Sequence, residues 1–398
     1  MKKIILTIFI FFLSLSLVGA LELPVDVTAD SVILINRDDN RIIYTKNPDK
    51  EQILASLTKV GTLYTAIKRI PNINKKVKIT EKDVAALWGF TQVGLKEGDV
   101  VTYRDLLYAT NLTSGADAAQ TLALHISGSM EKFAQEMNKD AKALGLNHTH
   151  FSDTIGRGDD NISTAREFSI LLSACLENDL FEKIFNTTYY RMSNGLESIN
   201  YTRSIASFHG LDSNLITGNK SGYTPEAGLL LASTATINGT HYMLITMHSK
   251  ENQWKSTHVL DSWKIYEYLA TLKFEERTIL PKGKILKRIT VENGTISEYL
   301  VTLDHDIKET LTDKEFDKIS VEYHIVDKID AGTKKGTNLG YVDVLLEDEV
   351  IDTFSVYLND KIFTRQEESR FILIIIIGLI FAVLVLLCTN IVNVRRRH

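Results

Sequence analysis

Around residue 56 the chain reads I-L-A-S-L-T-K, which sets Ser56 and Lys59 three positions apart at the head of an apolar stretch. On a helix, positions i and i+3 share a face, so the Lys59 amine can reach the Ser56 hydroxyl. A serine hydroxyl is a weak nucleophile and needs a base beside it. Lysine serves as that base only when burial or a neighbouring cation lowers its pKa. Alone, S-x-x-K is a weak signal. A second one, Ser129 to Lys132, opens the stretch M-E-K-F-A-Q-E-M-N and reads as a helix N-cap. Ser56 can be an N-cap on the same grounds. Two further pieces raise it above that reading: Ser114-Gly115-Ala116 in a loop before a helix, and Lys220-Ser221-Gly222 at the edge of a strand pair. Lys220 can be the cation that lowers the Lys59 pKa. Ser114 can pass a proton to a leaving amine. Lys220 and the Ser221 hydroxyl can hold a carboxylate through charge-assisted hydrogen bonds. A helix N-terminus at Ser56 offers an oxyanion a positive field and one backbone N–H, and the residue after Gly222, Tyr223, offers the second N–H.

These residues need rigid carriers, and the hydrophobic pattern supplies them. S-V-I-L-I-N and R-I-I-Y-T flank the turn formers Asp38, Asp39 and Asn40, an early β-hairpin. From Ser56, the residues Leu57, Val60, Leu63, Tyr64, Ile67 and Ile70 recur at helical spacing until Pro71. Residues from about 104 to 200 read as mostly helical, with turns at Gly128, Gly145 and G-R-G-D-D. G-L-L-L-A-S-T-A and H-Y-M-L-I-T-M-H read as strands joined at Asn238-Gly239, and a helix follows over about Ser256 to Leu272. From about 275 to 362, short alternating runs rich in Thr, Val and Ile, with Asn293-Gly294 as a hairpin turn, read as a small all-β domain.

The two ends are apolar. M-K-K, a short run from Ile4 to Val18 and the small residues Val18 and Ala20 read as a signal peptide over residues 1–20. Phe371 to Val394 holds no charged side chain and is long enough to span a bilayer. Arg395, Arg396 and Arg397 follow it, so residues 395–398 are expected to form a cytoplasmic tail and everything between the two apolar ends to lie outside. Between the β domain and the span, F-T-R-Q-E-E-S-R reads as a polar approach to the membrane. The two cysteines, Cys175 and Cys388, fall on opposite sides of that divide and do not pair. A net charge of −5 without a concentrated basic patch argues against nucleic acid as a partner. His148 and His150 near Asp153 are the best metal candidates, and a polar turn after Gly145 is the favoured reading of them.

S-x-x-K followed by S-D-N and K-T-G is the signature of penicillin-recognising serine enzymes. The sequence resembles the serine-type D-alanyl-D-alanine carboxypeptidases, the low-molecular-mass penicillin-binding proteins of bacterial cell walls. A-S-L-T-K resembles their nucleophile helix, F-S-D-T-I-G and I-S-T-A-R-E-F their middle segment, and N-K-S-G-Y-T-P-E-A-G their K-T-G strand. The resemblance implies an α+β fold: an antiparallel sheet flanked by helices plus a helical lobe over residues 21–272, then a small β-rich domain over 273–365 and a C-terminal transmembrane helix over 371–394. It implies Ser56 as the acyl-enzyme nucleophile, Lys59 as proton acceptor and Ser114 in the relay. Lys220, Ser221, Gly222 and Tyr223 line the substrate strand. The implied substrate is a peptidoglycan stem pentapeptide ending in D-Ala-D-Ala, with β-lactams as inhibitors, the cell membrane as anchor and no metal or cofactor. Two positions depart from the pattern: Ser221 stands for threonine, and Ala116 stands where the second motif carries asparagine. Ala116 leaves room for a weakly active or non-catalytic penicillin-binding wall protein. A class A β-lactamase would need an E-x-x-L-N segment between the second and third motifs, and none is present.

Overall fold

The computed structural model describes residues 24–251 and 256–395. The signal-peptide reading of residues 1–20 and the last three residues of the basic tail lie outside the described residues. The chain divides into two compact units, Ala20–Leu272 and the residues from Lys273 onward.

In the first unit the chain begins with the expected hairpin, β1 (Ser31–Asn36) and β2 (Ile42–Lys46). The short β3 (Gln52–Ile53) leads into a 3-10 turn, Ala55–Leu57, and then helix α1 (Thr58–Arg69). Next come β4 (Lys76–Lys78), α2 (Glu81–Val84), β5 (Val100–Thr102), α3 (Tyr103–Leu112), α4 (Ala116–Ser127) and α5 (Met130–Ala143). After β6 (Ile162–Ser163) stand α6 (Ala165–Leu176), α7 (Asp179–Phe185), the hairpin β7 (Tyr189–Arg191) and β8 (Glu197–Ile199), and α8 (Thr202–Phe208). The unit closes with β9 (Ile216–Thr224), β10 (Gly228–Ile237), β11 (Thr240–Ser249) and α9 (Thr257–Thr271).

Five strands form one sheet in the order β2-β1-β11-β10-β9, each neighbouring pair antiparallel. β1 is buried at all six positions, because α9 packs against β10 and β11 while α6 packs against β1 and β11. Asn238 and Gly239 join β10 to β11 with φ of 53° and 87°, the positive pair that a two-residue type I′ turn requires. The Asp261 carboxylate of α9 accepts from the Thr28 and Ala29 amides and the Ser249 hydroxyl, so the two ends of the unit close on each other. α1 is the hub of the helical lobe. It touches α3, α4, α5 and α6, and its buried face carries Lys59, Val60, Leu63 and Ala66. Ser129 caps α5, its hydroxyl accepting from the Lys132 amide at 3.2 Å. The Tyr189–Ile199 hairpin was not among the expected elements, although Asn194-Gly195 marks its turn.

The second unit is built of β12 (Glu275–Leu280), β13 (Ile285–Glu292), β14 (Glu298–Thr302), β15 (Ile307–Leu311), the short α10 (Asp313–Phe316), β16 (Ile319–Ile325), β17 (Lys328–Asp330), β18 (Asn338–Leu346) and β19 (Glu349–Tyr357). They pair as three small sheets around a core that includes Ile289, Val301, Ile307, Val342 and Val344. β13 and β14 form the hairpin expected at Asn293-Gly294, through a connection longer than two residues. Ile362 is buried in that core, Thr364 bridges to Gly294, and helix α11 (Arg365–Arg395) starts at the next residue. The stretch read as a polar approach is thus mostly the first turns of α11. By length and composition, α11 is apolar enough to cross a membrane.

Candidate active site

Ser56 lies in the 3-10 turn, two residues before the start of α1, and α1 itself has no side-chain cap. The N-cap reading of Ser56 is therefore corrected: the hydroxyl is not spent on the helix. The turn is strained, since the buried Ala55 has φ of 43°, an uncommon conformation for a side-chain-bearing residue. Two glycines let neighbouring backbone press against it. A Cβ on Gly156 would lie 1.8 Å from the Ala55 carbonyl oxygen, and one on Gly222 would lie 3.2 Å from the Ser56 and Leu57 amide nitrogens. The Ser56 turn is thereby gripped between β9 and the loop around residue 156.

Lys59 is 1% exposed, and its Nζ donates to Ser56 Oγ at 3.0 Å and to the Ile155 carbonyl at 2.8 Å. The i, i+3 spacing does what it promised. Among the described residues no carboxylate lies within ion-pair distance of Lys59. Burial pushes its ammonium down to about 7, against the weaker opposing pull of Asp153 and Asp117. Lys220 is also 1% exposed, and it donates to Ser114 Oγ at 2.9 Å and to the Ser221 carbonyl at 2.6 Å. Burial first, and then the charge of Lys59, hold its pKa well below the ordinary lysine range. Four polar residues of the three motifs are thus one cluster: Ser56 with Lys59, Ser114 with Lys220, and the two lysines near enough to feel each other.

Ser114 sits at φ of 59°, in the tight connection between α3 and α4. That connection is tied on both sides. Gly115 N donates to Ala109 O at 3.0 Å and Ala116 N to Thr91 O at 2.8 Å. The preceding Thr113 hydroxyl meets the Ser198 hydroxyl of β8 at 2.8 Å. Ala116 is fully buried and packs with Leu87, Ala119 and Ile155, with Phe90 and Met130 at the margin. Asp117 does not replace the missing amide: its carboxylate accepts from the backbone amides of Val93, Gly94 and Leu95 at 2.9–3.0 Å and so clamps the 85–95 loop.

β9 is the edge strand of the sheet. It carries Lys220, Ser221, Gly222 and Tyr223 in register with Ala232, Leu231, Leu230 and Leu229 of β10. The Tyr223 phenol is hydrogen-bonded to Glu251, which raises its pKa. His148 Nδ1 meets Glu51 Oε1 at 3.1 Å. Sequence reasoning missed the role of the loop at 153–157. Asp153 gathers the amides of Ile155, Gly156 and Arg157 at 2.7–2.9 Å, which aims the Ile155 carbonyl at Lys59. Its trace in the sequence was D-T-I-G, an aspartate followed by a turn.

A strained serine turn thus lies between a helical lobe and the edge of an antiparallel sheet, with two buried lysines that pair with no carboxylate among the described residues. Residues 19–251 match the peptidase S11 family, D-alanyl-D-alanine carboxypeptidase, and residues 274–363 match the C-terminal domain of penicillin-binding protein 5. The chain belongs to the D-alanyl-D-alanine carboxypeptidase family. It is 28% identical to the D-alanyl-D-alanine carboxypeptidase DacF of Bacillus subtilis, over 81% of this chain and 83% of that one. Its fold resembles the carboxypeptidase DacD of Francisella tularensis, with a TM-score of 0.67 at 20% identity, covering 86% of this chain and 95% of that one. It also resembles penicillin-binding protein 5 of Haemophilus influenzae, with a TM-score of 0.65 at 22% identity, covering 86% and 99%.

Proposed function

We propose that the chain removes the terminal D-alanine from peptidoglycan stem peptides through an acyl-enzyme on Ser56. The observation that carries this is the 3.0 Å contact between Ser56 and a lysine that is buried without a carboxylate partner. Once neutral, the Lys59 amine accepts the hydroxyl proton across that distance as Oγ attacks the penultimate D-Ala carbonyl carbon. The oxyanion is held by the amides of Ser56 and Tyr223. The terminal carboxylate binds Lys220 and Ser221, which restores the charge on Lys220, and that charge in turn keeps Lys59 neutral. When the C–N bond breaks, Ser114 hands its proton to the leaving amine and is reprotonated with the proton that Lys59 took from Ser56, which leaves Lys59 neutral again. Water then attacks the ester, with Lys59 again taking the proton, and Ser56 is regenerated. A β-lactam enters the same sequence, its ring amide opening as Ser56 is acylated.

The ends of the chain support a place for this chemistry. Residues 1–20 direct export, residues 371–394 within α11 anchor the chain by a single C-terminal span, and the catalytic domain works outside the membrane on the wall.

The test is D-alanine release from an acyl-D-Ala-D-Ala peptide by the full chain in detergent, with Ser56→Ala as control. Release by wild type alone supports the reading and shows that Ala116 is tolerated. A penicillin adduct on Ser56 without release would mean a working nucleophile for another substrate. Neither release nor adduct would mean a non-catalytic wall-binding protein.

A further inference from the structure

The wall opposite β9 carries a cation that this chemistry does not use. Arg157 follows directly on Ile155, whose carbonyl receives Lys59, and Gly156, which abuts Ala55 next to Ser56. Asp153 fixes the backbone through the Arg157 amide at 2.9 Å. The guanidinium is fixed as well. Nη2 donates to the Ala86 carbonyl at 2.8 Å, and the group lies 5.3 Å over the Phe90 ring. Ala86 and Phe90 belong to the loop that Asp117 clamps at residues 93–95, so both sides of this contact are anchored.

Arg157 is nonetheless exposed. Among the described residues no carboxylate pairs with it, although Asp159 and Asp160 follow on the same loop, and its Nε and Nη1 meet no acceptor. A guanidinium held in one plane with open donors is pre-organised for a bidentate carboxylate. Behind it the wall is apolar, built from Leu87, Phe90, Ala116 and Ile155. A peptide that lies along β9, with its terminal carboxylate at Lys220 and its reacting carbonyl at Ser56, extends the preceding residue across the Ser56 turn. Its side group then faces this wall.

We propose that Arg157 binds a free carboxylate on the side group of the residue before D-Ala-D-Ala, which makes the site selective for acidic stem peptides. The proposal rests on the carboxypeptidase reading above. The test compares D-alanine release by the full chain from two synthetic acyl-X-D-Ala-D-Ala peptides, in which X carries either a carboxylate or an uncharged group of similar length. Wild type is expected to favour the acidic peptide about tenfold in kcat/KM, mainly through KM. Arg157→Leu is expected to lose that ratio, and Arg157→Lys to keep part of it. A positioning role for the loop would lower both peptides together and leave the ratio unmoved, which overturns the proposal. Equal wild-type rates on the two peptides also overturn it while leaving the carboxypeptidase reading intact. No release from either peptide would overturn that reading, and the subsite with it.

Discussion

Helix α1 carries a lysine near each end, about two and a half turns apart, and the two have opposite fates. Lys59 is buried near the N-terminal end against Ser56 and a carbonyl, with its pKa lowered to about 7. Lys68, at the C-terminal end, meets the Asp140 carboxylate at 2.7 Å, and that hydrogen bond raises its pKa. Arg69 meets the same carboxylate at 2.6 Å and Glu136 at 2.8 Å, while the Thr65 hydroxyl adds a further donor to Asp140. The residue type is the same and the helix is the same. What separates the proposed base from a brace is the presence of a carboxylate. At the C-terminal end charge is matched and the contacts tie α1 to α5. At the N-terminal end charge is unmatched, and the cost of burying it lowers the pKa of the amine, as the role proposed for it as a base requires.

The comparison can be broken at either end. Ser56→Ala should have the largest effect, a loss of peptide turnover of at least about 10⁴-fold with no penicillin adduct. An unchanged thermal midpoint would show that the fold does not depend on that hydroxyl. Lys59→Met should slow Ser56 acylation by about a thousandfold, read by stopped-flow with a chromogenic β-lactam. The same change should raise the thermal midpoint, because it removes a buried cation. The sign depends on pH: below about 7 the lysine is charged in both the folded and unfolded states, and the whole cost of burial is present. Between about 7 and its ordinary value of 10.5 the unfolded chain binds more protons, so wild-type stability rises with pH. The gain from Lys59→Met should therefore be greater at pH 6 than at pH 9, and a destabilised variant at pH 6 would contradict the account.

In wild type, acylation should climb about tenfold per pH unit on approach to pH 7 and level off above it, as the amine loses its proton. A flat profile from pH 5 to 8 would remove Lys59 as the base. Asp140→Asn should have the smallest effect on chemistry and a clear one on stability. It leaves Lys68 and Arg69 without their shared carboxylate, at about 2 kcal/mol by urea unfolding, with acylation of Ser56 per folded molecule unaltered. The estimate is below that for a deeply buried pair because both cations are partly exposed and can rehydrate.

Part of the site was legible before any fold was known. Ser56 and Lys59 are joined by local helical geometry, and the spacing alone placed them within reach. The strands at 228–237 and 240–249 were legible from the runs G-L-L-L-A-S-T-A and H-Y-M-L-I-T-M-H and from the Asn-Gly turn between them. β9 was legible only as the edge of that pair, because its buried run contains Asn219 and Lys220, which hide the pattern. The Ser56 cap was misread because N-cap preference cannot distinguish a serine that starts an α-helix from one in a preceding 3-10 turn. The Ile155 carbonyl was invisible, since a main-chain acceptor leaves no trace in residue type.

The sequence by itself determined which groups were available: three serine hydroxyls, two amines, a serine–lysine spacing set by the helical repeat, and a chain long enough to bury them. It also determined that residue 116 carries no amide. Only the tertiary structure decided that Ser114 and Lys220, 106 residues apart, stand 2.9 Å from each other. It alone decided that both lysines are sealed from water with no carboxylate partner among the described residues, while Lys68 is given one. Local geometry is written in short-range spacing. A pKa is set by everything that surrounds a group, and that environment exists only once distant segments have packed together.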